Sequence, residues 1–134
     1  MTDEVQAPAL ILVVDDVQEI VEELVALLEL VDLPAMGAHS LADALAILEA
    51  VTSIQVVACD VRLNRESGLE IIQRVANNAL LADRPLKYVF MTGDPMRPDA
   101  IAAQQKCPVL TKPVQPRELI ALLRDLLGTG SAVG

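Results

Sequence analysis

"ILVVDDVQEI", residues 11–20, runs four aliphatic residues straight into two adjacent aspartates, Asp15 and Asp16, and then into a helical pattern. A short, wholly apolar run reads as a strand buried on both faces, the mark of a parallel sheet. Two like charges at its end are costly. At about 4 Å and an effective dielectric near 20, each close carboxylate pair costs roughly 4 kcal/mol, so something must compensate them.

Working outward, short apolar runs alternate with amphipathic stretches along the whole chain. Residues 10–14 read as a first strand and 17–30 as a helix with Ile20, Leu24, Leu27 and Leu28 inward. "PAMGAH" (34–39) is a weaker second strand, since Pro34 and Gly37 both oppose it. Ser40 is placed to cap a helix over 41–51, with Leu41, Ala44, Leu45 and Leu48 on one face. "IQVVACD" (54–60) is a third strand ending in Asp60. "SGLE" (67–70) has capping-box spacing, and the helix after it turns Leu69, Ile72 and Val75 inward. "LKYVFMT" (86–92) is a fourth strand, 98–105 a weak helix and "PVL" (108–110) a short fifth strand. Pro116 opens a last helix with Leu119, Leu122, Leu123 and Leu126 inward, and Gly128 closes it.

Strands that alternate with helices need crossover connections, which gives an α/β domain: a parallel sheet with helices on both faces. The composition agrees. The chain has 134 residues, enough for one core, and is 53% hydrophobic with one Tyr and one Phe, so that core is aliphatic. The formal charge of −9 disfavours nucleic acid and anionic membranes as partners. No apolar run reaches the length of a membrane span. Cys59 and Cys107 lack metal-ligand spacing and read as reduced packing residues of a cytoplasmic protein. Residues 1–8 read as a flexible lead-in, 9–128 as the domain and 129–134 as a flexible tail.

In open parallel sheets, sites form outside the carboxyl ends of the strands. Asp15 and Asp16 end strand one, Asp60 ends strand three, Thr92 ends strand four and Lys112 follows strand five, so these residues share one edge. A divalent cation such as Mg²⁺ takes hard oxygen ligands and would relieve the carboxylate repulsion. Lys112 offers a positive charge to a phosphate oxygen and Thr92 a hydroxyl donor. Metal, ammonium and hydroxyl around one carboxylate suit phosphoryl transfer, with Asp60 as the nucleophile. The plainer alternative is that Asp15 and Asp16 only favour the start of the first helix through its dipole.

"VVDD" (13–16), "CDVRL" (59–63), "SGLE" (67–70), "MTGD" (91–94) and "TKP" (111–113), in that order, resemble the receiver domain of two-component response regulators, the CheY-like superfamily. The resemblance implies a flavodoxin-like (βα)5 doubly wound sheet of five parallel strands. It implies that Asp60 accepts a phosphoryl group from a histidine kinase or histidine phosphotransfer protein. It further implies Mg²⁺ held by Asp15, Asp16, Asp60 and the Arg62 backbone carbonyl, with Thr92 as switch hydroxyl and Lys112 as phosphate-binding lysine. Lys112–Pro113 would be a cis peptide. Output would pass to a protein target through the face of the fourth helix, fifth strand and fifth helix, from a monomer or weak dimer. Such a domain catalyses its own phosphorylation and dephosphorylation and is not an enzyme for an external substrate.

This chain departs from the family pattern at three places: Val109 for an aromatic, Asn64 for a proline and Val114 for a second aromatic. Arg62 and Asp94 flank the site and either pair across it or stand as separate solvated charges. His39 reads as a loop residue, and Met91, Met96, Tyr88 and Phe90 as packing. Two rivals remain at this level. A haloacid-dehalogenase-like phosphatase would carry an aspartate where Arg62 stands, which counts against it. A pseudo-receiver would bind partners without phosphate.

Overall fold

The structure, a computed structural model, describes residues 8–93 and 107–128. In chain order these form β1 (Ile11–Val14), α1 (Gln18–Leu30), β2 (Ala35–Ala38), α2 (Leu41–Ala50) and β3 (Val56–Asp60). There follow β4 (Arg62–Leu63), β5 (Glu66–Ser67), α3 (Glu70–Ala76), β6 (Lys87–Thr92), β7 (Val109–Thr111) and α4 (Pro116–Leu127). The expected helix over 98–105 and Met96 lie outside the described residues.

Five strands make a parallel sheet in the order β2-β1-β3-β6-β7. The chain leaves β1 toward one edge and returns to β3 on its other side, so direction of winding reverses between β1 and β3. That reversal opens a crevice at their carboxyl ends. The doubly wound α/β expectation holds. Alternate side chains of each strand feed opposite faces. Leu12, Val14, Val57, Cys59 and Phe90 pack with Leu41, Ala44 and Leu48 of α2 and Ile71 and Val75 of α3. Ile11, Val13, Val56 and Val89 pack on the other side with Leu28 of α1 and Leu119 and Leu123 of α4. Both faces of β1 are therefore dry, which explains why its sequence does not alternate.

The helix ends follow local chemistry. Ser40 Oγ accepts the Asp43 backbone N–H at 3.1 Å, as its position before α2 predicts. After α1, Asp32 takes φ 64°, and the Leu33 and Asp32 N–H groups donate to the Leu28 and Glu29 carbonyls. This is the left-handed helix stop that glycine usually supplies, here filled by aspartate. Gly128 closes α4 at φ 80°. "SGLE" corrects the capping-box reading: Ser67 belongs to β5, α3 begins only at Glu70, and Ser67 Oγ accepts the N–H of Leu69. Ile71 and Val75 are the buried residues of α3, while Leu69, just before it, and Ile72 are half-buried.

Candidate acidic site at the strand ends

Parallel register brings the polar strand ends together. Val14 pairs with Cys59, which sets Asp15 beside Asp60; Asp60 pairs with Met91, and Thr92 with Thr111. The Lys112 N–H then donates to the Thr92 carbonyl at 2.7 Å, so Lys112 enters the site from the fifth strand of the sheet. Asp15, Asp60 and Thr92 are the buried polar residues among those described, at 0%, 7% and 4% exposure. Such burial is expensive unless each group is partnered.

The partners are specific. Asp15 accepts the Val17 N–H on Oδ1 at 2.9 Å and the Lys112 ammonium on Oδ2 at 3.1 Å. The plainer reading of Asp15 is thus true of one oxygen only. Lys112 Nζ also donates to Asp60 Oδ2 at 3.1 Å, bridging two carboxylates. The charge that compensates this pair in the structure is therefore an ammonium. Burial pushes the Asp60 carboxyl above the usual range, and the Asp15 charge adds to this, against the pull of Lys112. Burial by itself would lower Lys112, but Asp60 and Asp15 outweigh it and hold the ammonium above its ordinary value. Cys59 is buried behind Asp60, and burial and these same carboxylates raise its thiol, so it is an inert packing group.

Carboxylate oxygens of Asp15, Asp16 and Asp60 lie within 4.8 Å of one another. Three hard oxygen donors converging from two chain segments, with one of them exposed, fit a cation that keeps several waters, as Mg²⁺ does. Next to Asp60, residues 61–68 turn back as a two-stranded antiparallel hairpin, with Arg62 opposite Ser67 and Leu63 opposite Glu66. Its base is tied by Val61 N–H to the Met91 carbonyl and Gly68 N–H to the Val61 carbonyl, at 2.8 and 2.7 Å. Its tip is tied by the Asn64 N–H, which donates to Asp16 Oδ2 at 2.9 Å. The Arg62 N–H points at Asp60 Oδ1 from 3.5 Å, and the Arg62 side chain is exposed. Asp94 lies outside the described residues, and with it the expected Arg62–Asp94 pair.

Asp15, Asp60, Thr92 and Lys112 thus gather as expected, with Asp16 and Arg62 on the rim. Lys112–Pro113 is cis. His39 is a loop residue whose Nδ1 lies 3.3 Å from the Asp15 carbonyl. Phe90 and Met91 are buried, and Tyr88 stacks on Phe90 at 6.3 Å. Sequence reasoning missed the tie from Asn64 to Asp16 and the closeness of Gly68 to Asp60. A Cβ on Gly68 would collide with the Asp60 carbonyl oxygen and sit 2.9 Å from Cys59 Sγ.

A doubly wound sheet in this strand order, with an acidic cluster and a lysine at its winding reversal, defines the receiver class of signalling domains. The chain belongs to the response regulator receiver domain family, whose model matches residues 11–124. Among solved structures it is similar to a response regulator receiver protein from Pseudomonas putida, 28% identical with a TM-score of 0.76, over 90% of this chain and 99% of that one. A receiver domain protein from Clostridium thermocellum is 25% identical with a TM-score of 0.75, over 94% and 99% of the two chains. The signal receiver domain of an HD domain-containing protein from Pseudomonas fluorescens Pf-5 is 25% identical with a TM-score of 0.74, over 91% and 96%. No curated protein matches the chain. It is a receiver domain of two-component signalling, a family of phosphoacceptors that bind Mg²⁺ at such a cluster and meet histidine kinases and downstream targets. Among the described residues no helix is long and apolar enough to cross a membrane.

Proposed function

We propose that Asp60 of this chain takes a phosphoryl group from a phosphohistidine on a histidine kinase or phosphotransfer protein, and that the resulting acyl phosphate switches a protein-binding face. The observation that carries this is the convergence of Asp15, Asp16 and Asp60 within 4.8 Å, with Lys112 reaching both buried carboxylates. An Asp60 carboxylate oxygen attacks phosphorus, a P–O bond forms, and the P–N bond to histidine breaks with its electron pair returning to the imidazole. Mg²⁺, held by Asp15, Asp16, Asp60 and the Arg62 carbonyl, would supply charge neutralisation and phosphoryl orientation.

Lys112 then has two acceptors to choose between. Its Nζ leaves Asp60 Oδ2 for a phosphoryl oxygen, which carries more negative charge than the carboxylate it replaces. Thr92, at the end of the neighbouring strand, turns its hydroxyl toward a second phosphoryl oxygen. Because the Thr92 carbonyl is bonded to the Lys112 N–H, the two residues move as one unit. With Val109 in the aromatic's place, the displacement passes through backbone to β7 and α4, which carry the described part of the output face. The same groups position water for hydrolysis of the acyl phosphate, so the domain catalyses both halves of its own cycle. We assign it to the cytoplasm as a monomer or weak dimer, with residues 9–128 as the folded unit.

Phosphotransfer from acetyl phosphate tests this. Intact mass spectrometry should show one added phosphoryl group in Mg²⁺, none in EDTA, and none in Asp60→Asn. Labelling of Asp60→Asn to the wild-type extent, or labelling that ignores Mg²⁺, would overturn the assignment.

A further inference from the structure

Asp16 is exposed, and among the described residues its carboxylate accepts one hydrogen bond, from the Asn64 backbone N–H at 2.9 Å. Asn64 takes φ 58° in the first position of the two-residue loop between β4 and β5, so the chain turns back into β5 directly after this N–H and the loop stays close to Asp16. The left-handed region is open to asparagine and glycine and disfavoured for branched side chains, while proline is fixed near −65° and has no N–H at all. The hairpin base is held to β6 and to Val61, so the loop has a fixed place from which to donate. An exposed aspartate without that donor would sample several rotamers, and a cation would have to order it on binding.

Resting on the proposed Mg²⁺ site, we propose that Asn64 is a positioning residue: the tight left-handed turn at this residue keeps its N–H opposite Asp16, and that N–H fixes the carboxylate for the cation. Groups that orient metal ligands from outside the coordination sphere typically change metal affinity by about 10–100-fold when altered. The hairpin, which carries the Arg62 carbonyl, and the turn between β1 and α1, which carries Asp16, are thereby set relative to each other before the cation arrives.

The test is Mg²⁺ titration by calorimetry on the full chain, for wild type, Asn64→Gly and Asn64→Pro, each alone and with Asp16→Ala. Asn64→Gly keeps both the N–H and the positive φ and should bind within about twofold of wild type. Asn64→Pro should lose about tenfold in affinity. In the Asp16→Ala background the same change should cost nothing further, since the carboxylate it orients is gone. Should Asn64→Pro fail to fold, Asn64→Val serves, because a β-branched residue is disfavoured at this φ and opens the turn that holds the same N–H opposite Asp16. Wild-type affinity in the proline or valine variant overturns the proposal, and so does a penalty that persists undiminished beside Asp16→Ala. A wild-type protein that binds no Mg²⁺ overturns the functional reading itself, whereas tight binding by every Asn64 variant that keeps Asp16 overturns only the role of Asn64.

Discussion

Asp60 stands at 7% exposure, and its carboxyl is raised chiefly by burial and further by Asp15, so the fold holds this charge against its own interest. A carboxyl raised in the folded state contributes stability below its unfolded value, near pH 4, and loses it as pH rises through the raised native value. In EDTA, Asp60→Asn should therefore stabilise the protein at pH 7 by about 1 kcal/mol. The variant should also flatten the fall in stability above pH 4, both measured by urea unfolding across pH. A less stable Asp60→Asn would mean that the Lys112 contact outweighs burial. Lys112→Met predicts the opposite sign. It leaves Asp15 and Asp60 facing each other without the ammonium and should cost about 3 kcal/mol in EDTA, checked by the same unfolding experiment. Raised above 10.5 in the fold, Lys112 keeps its stabilising charge through neutral pH and gives it up only in strong alkali. Asp15, Asp16, Asp60, Thr92 and Lys112 were legible from sequence because each lies at or just past the carboxyl end of an apolar strand. The bridging ammonium was not, since strand-end position does not say which of two acceptors a lysine takes when no phosphate is present.

At the scale of elements, the sheet and its helices could be read because strand and helix periods differ and the central strands β1 and β3 are buried on both faces. The β4–β5 hairpin could not. Two-residue strands show no period, and the tie from Asn64 to Asp16 spans 48 positions, beyond any local pattern. "SGLE" misled for a related reason: the spacing is right for a capping box, but Ser67 pairs with Arg62, so the helix starts later. Gly68 shows what the hairpin requires. Its missing Cβ lets the returning strand pass against the Asp60 carbonyl, and Gly68→Ala should cost about 1–3 kcal/mol by urea unfolding and weaken phosphorylation as Asp60 shifts. Arg84 is the contrasting case, far from the chemistry. Its guanidinium donates to the carbonyls of Leu48 and, at 2.8 Å, Ile54, closing the end of α2 against the loop before β6. Arg84→Met should lower stability by about 2 kcal/mol while the Mg²⁺ requirement and labelling of Asp60 stay unchanged.

Across the whole molecule, 19 acidic residues against 10 basic ones leave a charge of −9, and any added salt relieves part of that repulsion by screening. A rise in melting temperature with magnesium would by itself prove nothing about a site. The two effects separate by where the charge sits. Screening acts on exposed carboxylates all over the surface and depends on ionic strength, so sodium chloride at matched strength should reproduce it. Binding at Asp15, Asp16 and Asp60, as proposed, would depend on free Mg²⁺ and stabilise only the folded chain. At a hundredfold excess over Kd it adds about 2.7 kcal/mol, or roughly 10 °C in a domain of this size. Removing Asp16 deletes one charge of the nineteen, which barely changes screening, but takes a ligand from the cluster. The expected outcome of thermal melts is a shift in Mg²⁺ well above that in matched sodium chloride for wild type, and nearly equal shifts in the two salts for Asp16→Ala. Equal shifts in wild type would reduce the acidic edge to ordinary surface charge and return the pair at 15 and 16 to the role of starting a helix.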